Sequence, residues 1–166
     1  LPSRAFIDVS MPDIRAWSAA IPDMRVTVMG ASTAVTVADN DYLRAAEVDR
    51  QFFDVLGVRP ILGGFTDADF ETTSKIRPAI LTYEAWQSSY GGASEILGRA
   101  LVDEKGEGAR IVGILPRGFV YPHPCGRLAP AALLPMQAPQ GKLASEATIR
   151  GFQVVARVAA RWTTAA

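Results

Sequence analysis

Apolar and polar residues alternate in short runs along this chain, a pattern typical of brief β-strands separated by a few helices. The first third contains three such runs, at 25–29, 33–37 and 42–48, with a polar turn before the last. Later runs predict a buried strand at 78–81, a hairpin whose strands are 99–103 and 110–115, and a strand at 152–158. The chain therefore predicts several short strands.

Helix signals are fewer. Ser10 and Asp13 form a capping pattern, with Pro12 in the first turn, and apolar residues at helical spacing follow as far as Ile21. We expect this helix to bury one face that includes Ile14 and Trp17.

Two more helices are predicted in the middle of the chain. Asp49 is expected to cap a short helix, with Gly57 as its left-handed end; the helix carries Phe52, Phe53, Val55 and Leu56. Thr82 is expected to cap a helix over 83–90, which ends at the pair Gly91–Gly92.

The segment 121–139 carries five prolines, which we interpret as too many for a helix or a central strand. The sum of these patterns is an α+β fold with small mixed sheets and two or three helices.

Composition narrows the class of protein. The chain has 166 residues with 17 basic and 17 acidic side chains, so its zero net charge gives no electrostatic footprint for nucleic acid or an anionic membrane surface. Its length fits one domain or two small lobes. No apolar run approaches the roughly 18 residues that a membrane span needs. Because the chain begins with neither Met nor a signal peptide, we expect it to be part of a longer protein.

Candidate chemistry is sparse. His123 is the one histidine and Cys125 the one cysteine, so neither a multi-histidine metal site nor an internal disulfide can form. The two side chains could chelate a metal or form a dyad, but a turn between prolines is the favoured interpretation.

Other motifs have ordinary structural explanations. Asp67, Asp69 and Glu71 alternate as calcium ligands can, although a solvated turn capped by Thr66 or Asp67 is favoured. The doublets Gly63–Gly64 and Gly91–Gly92 lack a phosphate-binding pattern. Packing in the core is the default role for the three tryptophans, which are Trp17, Trp86 and Trp162.

Five short motifs follow one another along the chain: 46–60 with a Phe-Phe-x-Val-Leu-Gly-Val core, 78–87 with Trp86, 90–99 with Tyr-Gly-Gly and Gly-Arg, 110–122 with Val-Gly-Ile-Leu-Pro-Arg-Gly-Phe, and a looser match over 134–158. In this order, over about residues 46–158, they resemble the signature of the periplasmic core domain of MacB/FtsX-type ABC transporter permeases, nearest the long-form bacterial permeases of unassigned substrate. The helix that starts at Ser10 is similar to the family's first extracytoplasmic helix.

The sequence departs from the family in three places. The family's Gly-Arg-x-Phe becomes Gly63-Gly64-Phe65, which loses an arginine, and the tryptophan expected near Leu133 is replaced. The chain also stops at Ala166, where the family continues into an alanine-rich helix, so we expect part of the second lobe to be missing.

The resemblance implies a two-lobe architecture: a porter-like α/β lobe formed by 1–50 with 150–166, and a smaller, strand-rich inserted lobe formed by 51–149. It implies an insertion between the first two transmembrane helices of a permease in the cell inner membrane, with this domain in the periplasm.

The implied function is non-catalytic: the domain would transmit motion to, or contact, an adaptor or a substrate during export (efflux). The implied partners are the transmembrane helices of the parent chain and a cytoplasmic ATP-binding subunit or domain, with a periplasmic adaptor and a second copy of the parent as candidates. No nucleic acid is expected.

We accordingly expect no catalytic, cofactor-binding or metal-binding residues. The alternative is a stand-alone secreted module that binds a ligand or metal, or a hydrolase, with His123 and Cys125 in its site.

At the level of single residues, the motifs predict packing roles. Four apolar side chains are expected in cores, namely Phe53, Leu56, Trp86 and Phe119. Gly57 and Gly98 are expected to have positive φ.

Overall fold

A computed structural model of the chain describes residues 10–21, 23–37, 41–71, 73–102, 106–122, 129–137 and 153–157. The helices are α1 (Met11–Ala20), α2 (Phe52–Leu56) and α3 (Tyr83–Tyr90), with a 3-10 helix at Asp67–Phe70. The strands are β1 (Arg25–Val37), β2 (Asp41–Val48), β3 (Leu62–Gly63), β4 (Ile76–Leu81), β5 (Ala100–Val102), β6 (Gly108–Ile114), β7 (Ala132–Pro135) and β8 (Gln153–Arg157).

The strands join into one eight-stranded mixed sheet in the order β3-β6-β4-β7-β2-β1-β8, and β5 also pairs with β6. The pairs β4–β6 and β2–β7 are parallel, and the other pairs are antiparallel. An α+β fold with few helices and a mixed sheet is confirmed, although the predicted small sheets are joined into one.

The predicted helix ends are confirmed where local chemistry sets them. Ser10 and Asp13 form the capping box of α1. Thr82 accepts a hydrogen bond from the Ala85 amide at the start of α3, whose limits are those predicted. Gly57 ends α2 with φ 69°, and Gly98 also has positive φ, at 84°. These features follow from residues close together in sequence.

Two predictions about strands are wrong. The runs 25–29 and 33–37 belong to one strand, β1, which keeps its pairing with β2 across an irregularity between Met29 and Ser32. The proline-rich segment also contains a central strand, because β7 lies between β2 and β4 with all four of its residues buried.

The position of Pro135 explains why a proline is tolerated in β7. It is the last residue of the strand, and the neighbouring Met136 amide still donates to the Val48 carbonyl of β2 (2.8 Å). The missing N–H of Pro135 therefore costs no bond to β2, with which β7 pairs over its whole length.

Both faces of the sheet are covered. Alternate residues point to opposite faces, so Ala45, Leu81 and Leu134 lie in one buried cluster, against which Trp86 of α3 packs. We call this side the α3 face. The neighbours Ala46, Ile80 and Leu133 lie in a second cluster on the opposite side, with Phe52 of α2, and we call this side the α2 face.

Aromatic rings link the signature segments on the α2 face. Phe52 is fully buried and contacts the rings of Phe53, Phe119 and Tyr121 at centroid distances of 5.4, 6.3 and 6.0 Å. Burial raises the pKa of Tyr121 to about 12. Phe52 is therefore the central side chain of this cluster.

The four predicted core residues pack against the two buried clusters but stay partly exposed: Phe53, Leu56 and Phe119 on the α2 face, and Trp86 on the α3 face. The expectation for Trp17 is wrong, since it is 43% exposed, whereas Ile14 of the same helix is buried against Val28. The apolar face of α1 is thus narrower than its sequence spacing indicated.

Asp49 joins α2 to β1. Its carboxylate accepts hydrogen bonds from Thr27 Oγ1 (2.5 Å), the Val28 amide (2.8 Å) and the Gln51 amide (3.2 Å). The sequence predicted Asp49 as the N-cap of α2, but the N-cap is Gln51. Burial raises the pKa of Asp49, against the opposing effect of these donors.

Phe52→Ala should destabilise the domain by about 3–5 kcal/mol, because it removes a fully buried ring and leaves a cavity among three other rings. Urea denaturation followed by fluorescence measures this free energy of unfolding. Val120→Ala is the control: Val120 is 82% exposed, and truncating it should cost less than about 0.5 kcal/mol. Equal costs at the two positions would contradict the central role of Phe52.

The free energy of unfolding of the wild-type chain, minus that of Asp49→Asn, should fall as pH rises above about 3.8, the ordinary pKa of an aspartate. The raised pKa means that the folded chain holds the Asp49 proton at a pH where the unfolded chain has released it, so Asp49 stabilises most below that pH. Chemical denaturation of both variants between pH 3.5 and 7 measures the difference, in which the other titrating groups largely cancel. A difference that increases with pH would show that the three hydrogen-bond donors outweigh burial.

Candidate functional site

The sequence-predicted alternatives for chemistry are only partly within the described residues. His123 and Cys125 lie outside them, as does Trp162. In the part of the chain that the structure describes, no three acidic, histidine or cysteine side chains are grouped as metal ligands would be. No helix in that same part is both long enough and apolar enough to cross a bilayer.

The acidic residues proposed as an alternative calcium site are engaged elsewhere. Arg50 pairs with Asp67 at 3.2 Å and also with Glu71, and its guanidinium lies 5.3 Å from the Phe70 ring centroid. Asp69 accepts from the amide and hydroxyl of Thr66, so the predicted capped turn is confirmed. A cation here would compete with Arg50, which makes the turn a structural feature.

A groove of about 650 Å³ opens at one end of the sheet. Its walls come from the start of β2, from α3 along its length and from the residues before β7, including Tyr42, Arg44, Glu84, Ser88 and Pro130. Backbone bonds border it, because Thr82 donates to the Ala131 carbonyl (2.9 Å) and Ala131 to the Arg44 carbonyl (2.8 Å). The groove therefore lies where β4, β7 and β2 meet.

A second, smaller concavity of about 360 Å³ lies between two of the signature segments. We call its lining the loop surface: Leu56, Val58, Pro116–Val120 and Pro122. Val120 is 82% exposed. Glu84 of α3 accepts a hydrogen bond from the Gly118 amide (3.2 Å), which holds this loop against the domain.

Gly63 allows β3 to pair closely with β6. This residue has φ 58°, and a Cβ built on it would lie 2.0 Å from the Val112 carbonyl oxygen. Glycine is thus required for the close approach of β3 to β6. This is where the sequence lacks the arginine of the family signature.

An ion pair on the α3 face was not predicted from sequence. Arg77 of β4 lies 2.8 Å from Glu47 of β2, and it also donates to the Pro135 carbonyl (2.8 Å). The side chains are 22% and 31% exposed, respectively. A signal was present, because Glu47 takes an inward position in the otherwise apolar run 45–48.

Comparison with known proteins gives the family that the sequence motifs resemble. The chain matches the MacB-like periplasmic core domain family over residues 2–166. No curated protein sequence matches it.

Three solved structures share its fold. The extracellular domain of the noncanonic ABC-type transporter YknZ from Gram-positive bacteria is 16% identical, with a TM-score of 0.57 over 90% of this chain and 72% of its own. The periplasmic region of MacB from Actinobacillus actinomycetemcomitans is 16% identical, with a TM-score of 0.59 over 98% and 71%. A domain of a putative permease protein from Porphyromonas gingivalis is 15% identical, with a TM-score of 0.61 over 95% and 71%.

At these identities the structures show a common fold, whereas the match over nearly the whole chain shows the family. This chain belongs to the MacB-like periplasmic core domain family, the periplasmic domains of ABC transporter permeases.

Proposed function

We propose that this domain is the non-catalytic head of an inner-membrane permease, and that it transmits motion to an adaptor or a substrate during export. Hydrolysis of ATP by a cytoplasmic subunit or domain would move the transmembrane helices of the parent chain. The head would carry that movement to its contact surface outside the membrane.

The observation that carries this proposal is the single sheet. Strands from the beginning, middle and end of the described chain join in it, and buried clusters pack on both of its faces. Such a body has a few discrete packed arrangements and does not deform gradually. That property suits a transmitter and requires no catalytic group.

We also propose the division into two lobes, with 1–50 and 150–166 in the first and 51–149 in the second. The pairing of β8 with β1 supports it, since Val28 lies opposite Val154 and Arg25 opposite Arg157. The two ends of the described chain therefore meet in one part of the sheet.

The loop surface is the contact that we propose for a protein partner. It joins two signature segments, and Val120 lies at its edge with most of its side chain in solvent. Arg117 in the same lining is exposed, and the partner that fits is an adaptor with an apolar anchor and acidic groups around it. A second copy of the parent is the other candidate partner.

Val120→Asp in the full-length parent permease should reduce copurification with its periplasmic adaptor at least about tenfold, because a charge would enter the apolar contact. Export should fall in parallel. The melting temperature of the domain should stay within about 2 °C, since the side chain is exposed and surface changes cost little.

Val120→Thr is the matched control, because it keeps the shape and β-branching of the side chain and should retain most of the binding. Normal adaptor binding and export by the Val120→Asp permease would contradict the assignment of this surface. Loss of export with normal adaptor binding would instead favour direct contact with the substrate.

Titration of the 166-residue chain with Zn²⁺, Ca²⁺ or Mn²⁺ should release no heat and leave the melting temperature unchanged. A specific ion at 100 times its dissociation constant would stabilise the chain by about 2.7 kcal/mol, which calorimetry detects readily. Stabilisation by zinc that is lost in His123→Ala or Cys125→Ala would support the alternative of a metal-binding module.

A further inference from the structure

The pairing between β4 and β7 is short. Among the described residues, these strands are in register at Ile80 with Leu133 and at Leu81 with Ala132. In contrast, β4 pairs with β6 along its whole length, and β7 does so with β2. The β4–β7 pairing, which we call the seam, is therefore the short ladder between two well-paired parts of the sheet.

Two prolines explain why the ladder ends. Its antiparallel register, continued by two residues from Ile80 and Leu133, places Pro78 opposite Pro135. At the opposite end of the ladder, just beyond the pair Leu81–Ala132, the Thr82 amide donates to the Ala131 carbonyl. In an antiparallel ladder every second pair is hydrogen-bonded, so counting in twos from Thr82–Ala131 gives the hydrogen-bonded pairs. The pair Pro78–Pro135 falls on that type, and neither residue has an N–H to donate.

Arg77 supplies a donor at this place. Its Nη2 donates to the Pro135 carbonyl at 2.8 Å, the group that a backbone amide at position 78 would otherwise reach. Its Nη1 lies 2.8 Å from the Glu47 carboxylate, so the guanidinium reaches across β7 to β2. One side chain therefore joins three strands where the backbone ladder is interrupted.

The surroundings hold Glu47 in place for this contact. A Cβ at Gly30 of β1 would lie 3.1 Å from Glu47 Cβ and 3.3 Å from Met136 Cε, so glycine leaves the room that the Glu47 side chain occupies. The Nε of Arg77 is buried without a hydrogen-bond partner among the described residues. This unpaired donor is an energetic cost, which the two other contacts of the guanidinium must offset.

We propose that the Arg77–Glu47 pair is a latch over the seam, and that its release lets the two parts of the sheet shift while each stays folded. One part is β3, β5, β6 and β4; the other is β7, β2, β1 and β8. This division differs from that of the two lobes in the placement of β7, which pairs with β2 over its whole length. Away from the seam, β1 also lies close to β5 and β6, so a shift has to alter these contacts as well. Apolar contacts across the seam are non-directional and tolerate a shift, whereas the charged hydrogen bonds fix one arrangement. This inference deepens the proposed function and rests on it, since a head that transmits motion needs a defined place at which its arrangement changes.

The latch also lies at the opposite end of the seam from the groove. Arg77 and Pro135 are at one end of β4 and β7, and Thr82 and Ala131, which border the groove, are at the other. A shift along the seam would therefore change the width of the groove.

Hydrogen exchange of the 166-residue chain, followed residue by residue by NMR, tests the latch. Arg77→Met keeps the apolar stem and removes the guanidinium. We expect exchange of the Ile80, Thr82 and Leu133 amides to accelerate about tenfold or more, because local opening of the seam becomes easier. Amides of the β1–β2 ladder and of β6 should change less than about twofold.

Lys75→Met is the control, since Lys75 pairs with Glu107 at 3.0 Å close to the start of β4, but both side chains are largely exposed. It should leave exchange at the seam unchanged. Unchanged seam exchange in Arg77→Met would overturn the proposal, and so would an equal acceleration in every strand, which marks an ordinary structural ion pair.

Glu47→Gln provides a milder change, because it removes one charge and leaves the bond from Arg77 to Pro135. It should accelerate seam exchange in the same residues by a smaller factor. Loss of the NMR spectrum of a folded protein in both variants would also refute the latch, which requires each part to stay folded. None of these readouts depends on transport, so a failure of the latch and a failure of the proposed function can be told apart.

Discussion

The rest of this domain depends on the burial of β7 at the centre of its sheet. This strand has four residues, all buried, and it contributes Leu134 to the cluster on the α3 face and Leu133 to the cluster on the α2 face. Without it, β2 and β4 would have no common neighbour, and each cluster would lose the residues that join its β2 side to its β4 side. One short segment therefore makes a single body out of two groups of strands.

Backbone carbonyl groups that lack a backbone donor also lie beside this central strand. A strand with a terminal proline, opposite another proline, leaves carbonyl groups without backbone donors inside a packed sheet. Arg77 meets one of them with a charged side chain, and Glu47 balances its charge. Burial of a paired charge is costly unless its hydrogen bonds are made, so such a pair persists where the backbone has no alternative. This links the proline content of the segment to the ion pair beside it.

The function that we propose depends on the surfaces of the domain. The signature segments meet in the aromatic cluster around Phe52, and their outer residues form the loop surface with the exposed Val120. The same segments thus supply both the packing that stiffens the domain and the face that it presents outward. A family signature of this kind therefore reports a folded shape.

Much of the local structure could be predicted from the sequence. The capping residues Ser10 and Thr82 gave the starts of their helices, and glycines at 57 and 91 gave two ends, because these features depend on neighbours within a few residues. The family was also accessible, since its motifs are short and occur in order.

What the sequence by itself determined, then, was the set of helices, most of the strands and the family. The tertiary structure alone decided that β7 is central, that Phe52 and not Phe53 is fully buried, and that Arg77 contacts Glu47. Each of these depends on contacts between segments far apart in the chain. Local propensity and periodicity carry no information about which distant residue will lie opposite, and burial and pairing are settled only when the strands assemble.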